Sequence, residues 1–429
     1  MKNLVLCGCG HGHIFVIKNI KEKYPDIKIT VITDNEYQYY SGMYTGFLEG
    51  VYTHDEICFD VRKVCEKYGA DLIFDKIVKI DDENKKVIAK NHTVDYDYLS
   101  INLGATQKTI GTGENVINSK PINTIIDLKE KIKDTDKNIL ILGAGASGLE
   151  LAFVLKTIYP DKNISIVTRG SVNMEGFSDK ANKKARKLLK KKGIKVYENK
   201  NVSSIDEIDI DFDKLIMCIG SSGVNVDFGN LNTTDKNFLI SDEYMRISDK
   251  IFAVGDCVSI DKYPNLPKAG VYAIRQSPIL MKNIAHTLND EELESYVPDT
   301  DPMQILYCGN EKALLYYKGF TWYSHLSFVL KRYIDKKYMK SWPPVKRLVW
   351  SRAISPSDTN QRLKALVFTP FKPNCFCHFS LSLKGIFNFY FISGSVYSFT
   401  LNLSSAISCC SCSLIYFAIV FSFNPTVLT

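Results

Sequence analysis

Two glycine-rich turns have the residue spacing that dinucleotide-binding sites use to hold a pyrophosphate. The first turn lies between a short apolar strand and a predicted helix over 14–23, and it reads Gly8, Cys9, Gly10, His11, Gly12, His13. Gly8 permits a tight turn, Gly10 lets the backbone approach a phosphate, and the helix N-terminus supplies amide donors. His13 stands where a third glycine is expected, so this turn is a weak signal by itself. Asp34, after the next predicted strand, is the candidate partner of a ribose hydroxyl.

The second turn is more regular because its three glycines are all in register. It lies between a predicted strand over 138–142 and a predicted helix over 149–158, and it reads Gly143, Ala144, Gly145, Ala146, Ser147, Gly148. The next predicted strand, over 164–167, is followed by Arg169 and by no acid. An acid there would bind the free 2′-hydroxyl of NADH, whereas an arginine can accept the 2′-phosphate of NADPH. The turn therefore predicts a nicotinamide dinucleotide site and favours NADPH without deciding between the two.

A third motif comes after both turns, and it suggests a flavin. The short apolar strand over 250–254 ends in Gly255 and Asp256, and a carboxylate beside the first turn can accept a hydrogen bond from a ribityl hydroxyl of FAD. Reduced flavin carries negative charge at its N1–C2 carbonyl edge, which a helix N-terminus with a nearby cation stabilises. Lys268, before a predicted helix over 271–285, is the predicted cation, and a surface lysine is the alternative.

Two further strand-to-glycine turns mark where the chain crosses between domains. The predicted strand over 96–103 leads into Gly104, Ala105 and Thr106, and the predicted strand over 212–219 leads into Gly220. Each has the position of a closing strand in a dinucleotide domain, and each turn is a candidate cofactor contact.

The order of these elements predicts an α/β fold with two Rossmann-like dinucleotide-binding domains. The FAD domain is discontinuous, the NAD(P) domain is inserted into it, and a small C-terminal α+β segment follows. The predicted boundaries are 1–120 and 226–300 for the FAD domain, 121–225 for the NAD(P)H domain, 301–350 for the C-terminal interface or membrane-surface segment, and 351–429 for an atypical tail.

Together the motifs resemble the pyridine nucleotide-disulfide oxidoreductase and type II NADH dehydrogenase class of FAD flavoproteins, from residue 1 to about residue 342. More narrowly, the chain is similar to the NADH-dehydrogenase-like module found fused to selenide, water dikinase, in its His13 turn and in residues 40–43, 267–276 and 331–339. Nothing in it resembles the dikinase domain. The resemblance implies FAD and NADH or NADPH as cofactors, with Ser41 among the cofactor-binding residues. It also implies that Glu150 is catalytic and lies close to the nicotinamide; the alternative is an acid that only complements the helix dipole.

The predicted function is an FAD-dependent NAD(P)H:acceptor oxidoreductase, with hydride transfer from nicotinamide to flavin and onward to a quinone or another small acceptor. A dithiol relay is not expected, because the spacings of the early cysteines do not suit a redox pair: Cys7, Cys9, Cys58, Cys65. Two alternatives stay open. One is a flavin-based redox sensor with little turnover, and the other is a sulfide:quinone or disulfide-linked enzyme that would use Cys218 and Cys257.

Composition and charge restrict the partners. The chain is 45% hydrophobic and 24% charged, with a net charge of +7, which is typical of a globular protein. The lysine-rich run over 183–192 is interpreted as a solvated helix face, so no nucleic acid partner is predicted, and no metal site is predicted either. Without a leader-like N-terminus, the predicted localisation is cytoplasmic, either free or peripheral to the inner face of the cell membrane. Two short strands are predicted over 304–307 and 312–317, and an aromatic, basic helix is predicted after them, before residue 342. This helix suits a membrane surface, a homodimer interface or a cover over the flavin.

The composition changes near residue 351. Downstream of it Asp358 is the only acid, and no charged residue follows Lys384. Residues 406–423 form an apolar run near the minimum length for a membrane helix. A displaced reading frame and a metal-binding cysteine cluster at 409–412 are the other interpretations, and no function is assigned to this tail.

Overall fold

A computed structural model describes residues 2–299 and 301–342, together with the backbone of residues 385–390 and 396–401. The α-helices of this part are α1 (His11–Lys23), α2 (Tyr44–Glu49), α3 (His54–Ile57), α4 (Val61–Tyr68), α5 (Leu128–Lys131), α6 (Ala146–Ile158), α7 (Asp179–Lys191), α8 (Gly270–Leu288) and α9 (His325–Met339). The strands are β1 (Asn3–Cys7), β2 (Lys28–Thr33), β3 (Tyr37–Tyr39), β4 (Cys58–Asp60), β5 (Asp71–Phe74), β6 (Ile77–Asp81), β7 (Lys86–Ala89), β8 (Thr93–Asp95), β9 (Tyr98–Ile101), β10 (Thr106–Gln107), β11 (Val116–Asn118), β12 (Asn138–Leu142), β13 (Asn163–Val167), β14 (Lys195–Tyr197), β15 (Lys214–Met217), β16 (Ser221–Ser222), β17 (Leu239–Ser241), β18 (Arg246–Ser248), β19 (Ile251–Ala253), β20 (Val258–Ile260), β21 (Gln304–Tyr307), β22 (Ala313–Tyr317), β23 (Phe320–Ser324), β24 (Gly385–Tyr390) and β25 (Val396–Leu401).

The first large sheet has six strands in the order β18-β19-β9-β1-β2-β5. Its neighbours pair in parallel except β18 and β19. Alternate residues of β1 serve opposite faces, as the pleat requires. Leu4 and Leu6 pack with α1 and α8, and Val5 and Cys7 pack with the core under the small β6-β7-β8 sheet. Both faces of β1 are therefore covered, which is why the strand reads as a continuous apolar run.

The second large sheet repeats this arrangement with five parallel strands in the order β11-β15-β12-β13-β14. Ile139 and Ile141 of β12 pack with α6, while Leu140 and Leu142 face the other side. The first glycine of each turn makes the same hydrogen bond to the neighbouring strand. The amide of Gly8 donates to the carbonyl of Ile32 at 2.8 Å, and the amide of Gly143 donates to the carbonyl of Val167 at 2.7 Å. The predicted fold class is confirmed.

The two crossings between these sheets lie side by side. Thr106 and Gln107 of β10 pair antiparallel with Ser222 and Ser221 of β16. The hydroxyl of Thr106 adds a bond to the carbonyl of Gly223 at 2.9 Å. The segment from β11 to β15 thus starts and ends at a single two-stranded ribbon.

The C-terminal segment contains a strand that the sequence analysis missed. Two strands were predicted before the helix, but β21, β22 and β23 form a three-stranded antiparallel meander. Lys318 and Gly319 join β22 to β23 with positive φ at both residues, 45° and 79°, as a two-residue hairpin turn requires. Phe328 of α9 shares a core with Leu314 of the meander and Phe153 of α6. The meander is therefore anchored on the second domain.

None of the helices in the described part of the chain combines the length and the apolar character that a membrane crossing requires. The chain divides into one unit over Met1–Val349 and another over Trp350–Thr429. Within the second unit, β24 and β25 pair antiparallel from Gly385 opposite Leu401 to Tyr390 opposite Val396. The apolar run over 406–423 and the cysteine cluster at 409–412 lie outside the described residues.

Candidate active site

A cleft of about 390 Å³ lies at the carboxyl ends of β1 and β9, beside the N-termini of α1, α6 and α8. Its walls include ten of the predicted site residues: Gly8, Gly10, His11, Asp34, Ser41, Gly104, Ala105, Glu150, Asp256 and Lys268. In α/β proteins with a parallel sheet, ligands bind in the crevice at the carboxyl ends of the strands. The cleft therefore joins residues from the first glycine turn, the first crossing, the flavin motif and α6.

The first turn fits closely over Asn102, which follows β9. Gly8 has a positive φ of 86°, and a Cβ there would lie 2.4 Å from the carbonyl oxygen of Asn102. A Cβ on Gly10 would lie 2.8 Å from the Asn102 side chain. The Asn102 amide can accept from the amide of Gly12 at 3.1 Å while it donates to the carbonyl of Val254 at 3.3 Å. Sequence reasoning missed Asn102, although a polar residue at a strand end next to Gly104 was an available signal.

His13 replaces the third glycine because its ring binds the carbonyl that glycine would approach. In the second turn, a Cβ on Gly148 would lie 2.1 Å from the carbonyl oxygen of Gly143. In the first turn, the equivalent carbonyl of Gly8 lies 2.7 Å from Nδ1 of His13, whose Nε2 lies 2.8 Å from Oγ of Ser100. Burial lowers the pKa of His13 to about 4, so the ring is neutral and its Nδ1–H donates to Gly8. The His13 that weakened the motif is thus a buried structural residue.

His11 lies at the start of α1 among aromatic rings. Its Nδ1 is 2.7 Å from the hydroxyl of Tyr338, and the rings of Tyr40 and Phe59 contact it edge-on. Burial lowers the pKa of His11 to about 4, while the charge of Asp256 acts in the opposite direction. The imidazole is therefore neutral, and it forms an uncharged part of the cleft wall.

Both helices that follow the glycine turns have N-termini without side-chain caps. Gly10 is the N-cap of α1 and Gly145 is the N-cap of α6, and neither helix has an acid in its first turn. Such an end presents backbone amides and a positive dipole end to an anion. The described residues therefore fit one pyrophosphate at each turn, as FAD and a nicotinamide dinucleotide require.

Glu150 faces the same cleft from α6. One carboxylate oxygen accepts from the amide of Tyr307 at 2.7 Å, and the other accepts from the hydroxyl of Thr45 at 3.3 Å. Burial raises the pKa of Glu150, and the charge of Lys331 partly opposes that shift. Sequence reasoning missed Thr45 because nothing local links it to a residue 105 positions away. Glu150 thus ties the second domain to the meander and to α2.

Asp256 carries an unpredicted partner. The Nζ of Lys120 lies 3.1 Å from the Asp256 carboxylate and also donates to Oγ of Ser221 at 3.1 Å. Lys268 also lines the cleft, but its ammonium donates to the carbonyl of Val258. Of these two lysines, the cation on the Asp256 carboxylate is Lys120.

The other predicted cofactor residues do not line the cleft: Gly12, Thr106, Gly143, Gly145, Gly148, Arg169, Gly220 and Gly255. Gly12 packs against Val254, and the amide of Gly255 donates to Oε1 of Gln276 at 2.8 Å. Gly143, Gly145 and Gly148 form the second turn, while Arg169 is exposed two residues after β13. Asp34 lies at the end of the cleft, directly after β2.

The family model for pyridine nucleotide-disulphide oxidoreductases matches residues 2–277. The chain belongs to this family. The match covers both glycine turns, both crossings and the flavin motif. The narrower similarity to a module fused to selenide, water dikinase stays a prediction.

Curated relatives include members with named redox activities. An NADH dehydrogenase-like protein, YutJ, from Bacillus subtilis is 26% identical over 339 residues, which are 73% of this chain and 91% of that protein. A type II NADH:quinone oxidoreductase from Staphylococcus aureus is 23% identical and aligns with 69% of this chain and 85% of that protein. Ferroptosis suppressor protein 1 from Xenopus tropicalis is 25% identical over 250 residues, which are 52% of this chain and 65% of the frog protein.

Solved structures share the fold at low sequence identity. The sulfide:quinone oxidoreductase of Aquifex aeolicus has a TM-score of 0.67 and 18% identity, covering 80% of this chain and 91% of that one. The NDH2 of Plasmodium falciparum has a TM-score of 0.66 and 14% identity, and the match covers 79% of this chain and 96% of that one. An engineered NADPH oxidase derived from a Lactobacillus brevis NADH oxidase has a TM-score of 0.61 and 21% identity, covering 73% and 74%.

Disulphide chemistry in such a protein would need reactive thiolates. The cysteines in the described part of the chain are free, and burial raises the pKa of Cys58 to about 12, of Cys218 to about 12 and of Cys257 to about 11. The thiol of Cys257 donates to the carbonyls of Val254 and Ile101 inside the first sheet. These thiols stay protonated near neutral pH, so they are poor nucleophiles.

Proposed function

We propose that this chain is an FAD-dependent NAD(P)H:acceptor oxidoreductase. The observation that carries the proposal is the shared cleft, which is lined both by the first glycine turn and Asp256 and by Ser147 and Glu150 of the second domain. Cofactors held at the two turns would meet in this cleft. FAD, when bound, accepts a hydride from the nicotinamide and passes electrons to a second substrate.

The protein supplies binding and orientation for this chemistry. We assign the pyrophosphate of FAD to Gly8, Gly10 and the N-terminus of α1, and its ribityl chain to Asp256. Asp34 would hold the adenosine ribose. Glu150 lines the cleft from the second domain, and its carboxylate already has two donors, Thr45 and Tyr307. A group fixed in this way can orient a substrate without reorganising during the reaction.

NADPH is the donor that the residues after β13 favour. Thr168 and the exposed Arg169 follow the strand, and no acid stands there to bind a free 2′-hydroxyl. The engineered oxidase that was solved with NADPH carries, by its description, an aspartate-to-alanine change and two introduced arginines. That protein and this chain therefore share the combination of arginine and no acid that favours NADPH binding, although the names of both bacterial relatives refer to NADH.

A quinone is the acceptor that we propose, and a membrane is where this protein would meet it. β23 and α9 present six large apolar side chains that are between 38% and 58% exposed: Phe320, Trp322, Leu326, Val329, Leu330 and Tyr333. We call this group the α9 surface. Its helical members recur at spacings of three and four, so they form one stripe. Arg332 and Lys337 are exposed on the same helix.

This combination is typical of a helix that lies in a lipid interface. The opposite side of α9 is buried, where Lys331 and Asp335 pair at 2.7 Å and Phe328 enters the core. The helix is thus firmly held and can present its apolar stripe outward. A homodimer interface is the competing use of the α9 surface.

The test is the visible spectrum of the purified full chain. The proposal predicts a yellow protein whose flavin absorbance is bleached by anaerobic NADPH, by NADH, or by both at different rates. A short-chain quinone should then restore the absorbance. A colourless protein that takes up no FAD would refute the proposal, and a yellow protein that neither nucleotide bleaches would indicate a redox sensor instead.

A further inference from the structure

Two lysines line the cleft beside the flavin motif, and they differ in what their ammonium groups contact. The ammonium of Lys268 donates to the carbonyl of Val258 and lies 4.7 Å from the centre of the Phe238 ring. Burial lowers the pKa of Lys268, and the charge of Asp256 partly opposes that shift. The ammonium of Lys268 contacts the Val258 carbonyl and the Phe238 ring rather than the Asp256 carboxylate, so Lys268 is less well placed than Lys120 for the role that the sequence suggested.

Lys120 has a different position. It follows β11 of the second sheet, and its Nζ donates to the Asp256 carboxylate at 3.1 Å, to Oγ of Ser221 at 3.1 Å and to the carbonyl of Lys268 at 3.3 Å. The ammonium of Lys120 thus connects the inserted segment with the second crossing, the flavin motif and the chain two residues before α8. The side chain of Lys120 is 30% exposed, and it lines the cleft.

The backbone that carries Lys120 is itself fixed. The amide of Ser119 donates to the carbonyl of Met217 at 3.2 Å, and its hydroxyl donates to Oε1 of Gln107 at 2.8 Å. The backbone next to Lys120 is therefore anchored, and the three acceptors named above fix the position of its ammonium. A charge placed in this way needs little reorganisation to act on a ligand.

We propose that Lys120, rather than Lys268, is the cation of the FAD site. It is a positioning residue: it orients the Asp256 carboxylate so that this group can accept from the ribityl hydroxyls of FAD. Its positive charge would also stabilise the negative charge that a flavin held in this cleft gains on reduction. The inference rests on the proposed function, because it assigns FAD to this cleft.

The experiment compares full-length Lys120→Met, Lys120→Arg and Lys268→Met with the parent protein. The first readout is the dissociation constant of FAD, measured by flavin fluorescence on reconstitution. The second is the midpoint potential of the bound flavin, measured anaerobically against a reference dye. Neither readout depends on turnover, and the circular dichroism spectrum reports whether each variant is folded.

Lys120→Met should weaken FAD binding about tenfold, since a charge-assisted contact on Asp256 is lost. It should weaken binding of reduced FAD about tenfold further, which lowers the midpoint potential by about 30 mV for a two-electron couple. Lys120→Arg should restore most of both values, because the charge is kept. Lys268→Met should leave the potential close to that of the parent. If Lys120→Met does not fold, Lys120→Gln gives the same comparison with a polar, neutral side chain.

Parent-like FAD affinity and potential in folded Lys120→Met, or a lowered potential in Lys268→Met alone, would overturn the inference. The proposed function fails in a distinguishable way, since the parent protein would then bind no FAD or would not be reduced by either nucleotide. A parent that binds FAD and is reduced, with Lys120→Met unchanged, removes only the role of Lys120.

Discussion

At the scale of single residues, a substitution of Gly145 tests cofactor binding without disturbing the fold. A Cβ on Gly145 would meet no atom within 4 Å, so the protein itself has room for a side chain there. We expect Gly145→Val to fold and to keep FAD. Its kcat/KM for NAD(P)H should fall on the order of 100-fold, because the side chain displaces the pyrophosphate from the amides of α6. Stopped-flow bleaching of the flavin measures this loss.

Gly145→Ala is the graded control and should lose less. Gly10 offers a contrast, since a Cβ there would collide with Asn102 inside the protein. Normal NAD(P)H oxidation by Gly145→Val would mean that the second turn does not bind the donor.

Glu150 should contribute one limb to the pH profile of the reaction. Its pKa is raised because its carboxyl group is buried. The group therefore changes charge at a higher pH than an exposed glutamate, becoming protonated as the pH falls through the raised pKa. We expect that limb in the dependence of kcat/KM on pH, and we expect Glu150→Gln to remove it while FAD stays bound. A profile that is identical in both proteins would indicate that Glu150 only ties Tyr307 to α6.

At the scale of elements, His13 links α1 to the ends of β1 and β9, and its burial makes the free energy of unfolding depend on pH. Its folded pKa of about 4 lies below the ordinary value of 6.5. Between pH 4 and pH 6.5 His13 is protonated in the unfolded chain but neutral in the folded chain. The unfolding free energy therefore falls as the pH decreases from about 6.5 to about 4. A pKa difference of that size corresponds to ~3 kcal/mol. His11 has a pKa lowered to about 4 by burial as well, so it adds a similar loss.

Denaturant titrations of His13→Gln across this pH range should show a loss about half that of the parent. Gln can still donate to the carbonyl of Gly8 but does not titrate. His325→Gln is the comparison at an exposed site, since the His325 side chain is 54% exposed. An unchanged pH dependence in His13→Gln would contradict a neutral, buried imidazole.

The α9 surface supplies a prediction that belongs to a whole helix. Leu330→Asp places a charge in the apolar stripe, where transfer into a lipid interface becomes unfavourable. We expect its co-sedimentation with anionic vesicles to fall several-fold relative to the parent. Val297→Asp is the control, since Val297 is 73% exposed but lies outside the stripe. If neither protein binds vesicles and only the parent is a dimer by gel filtration, the α9 surface is a homodimer interface.

Local signals predicted the elements well where they lie next to each other in sequence. The strand β12 was predicted with its observed bounds, whereas α1 and α6 each begin three residues earlier than expected, at His11 and Ala146. The predicted helices were begun after the glycine turns, but the last residues of each turn are already helical. β23 was missed because the Lys318-Gly319 turn was not recognised as a hairpin turn.

Contacts between distant residues could not be predicted in the same way. Lys120 and Asp256 are 136 positions apart, and Thr45 and Glu150 are 105 apart. Only the packing of the two domains brings them together, and no local pattern encodes that packing. Asp256 and the glycines were found because a strand end or a tight turn marks them. The roles of the individual site residues stay predictions.

At the scale of the whole molecule, the order of the motifs was sufficient for the family and the fold. Two strand–turn–helix units, two crossings and one Gly-Asp strand end follow one another in an order that places one dinucleotide domain inside another. The predicted family is confirmed by the match over residues 2–277. The boundaries of the individual domains stay predictions.

The ribbon formed by β10 and β16 has a consequence for how such a protein can be altered. Thr106 and Ser222 are hydrogen-bonded neighbours, so the segment between them leaves and rejoins the rest of the chain at one place. A segment with adjoining ends can be exchanged as a cassette, with only a short join to design. We expect that donor choice can be grafted in this way only if the graft keeps Lys120 and Glu150, because these two residues contact Asp256, Thr45 and Tyr307 outside the exchanged segment.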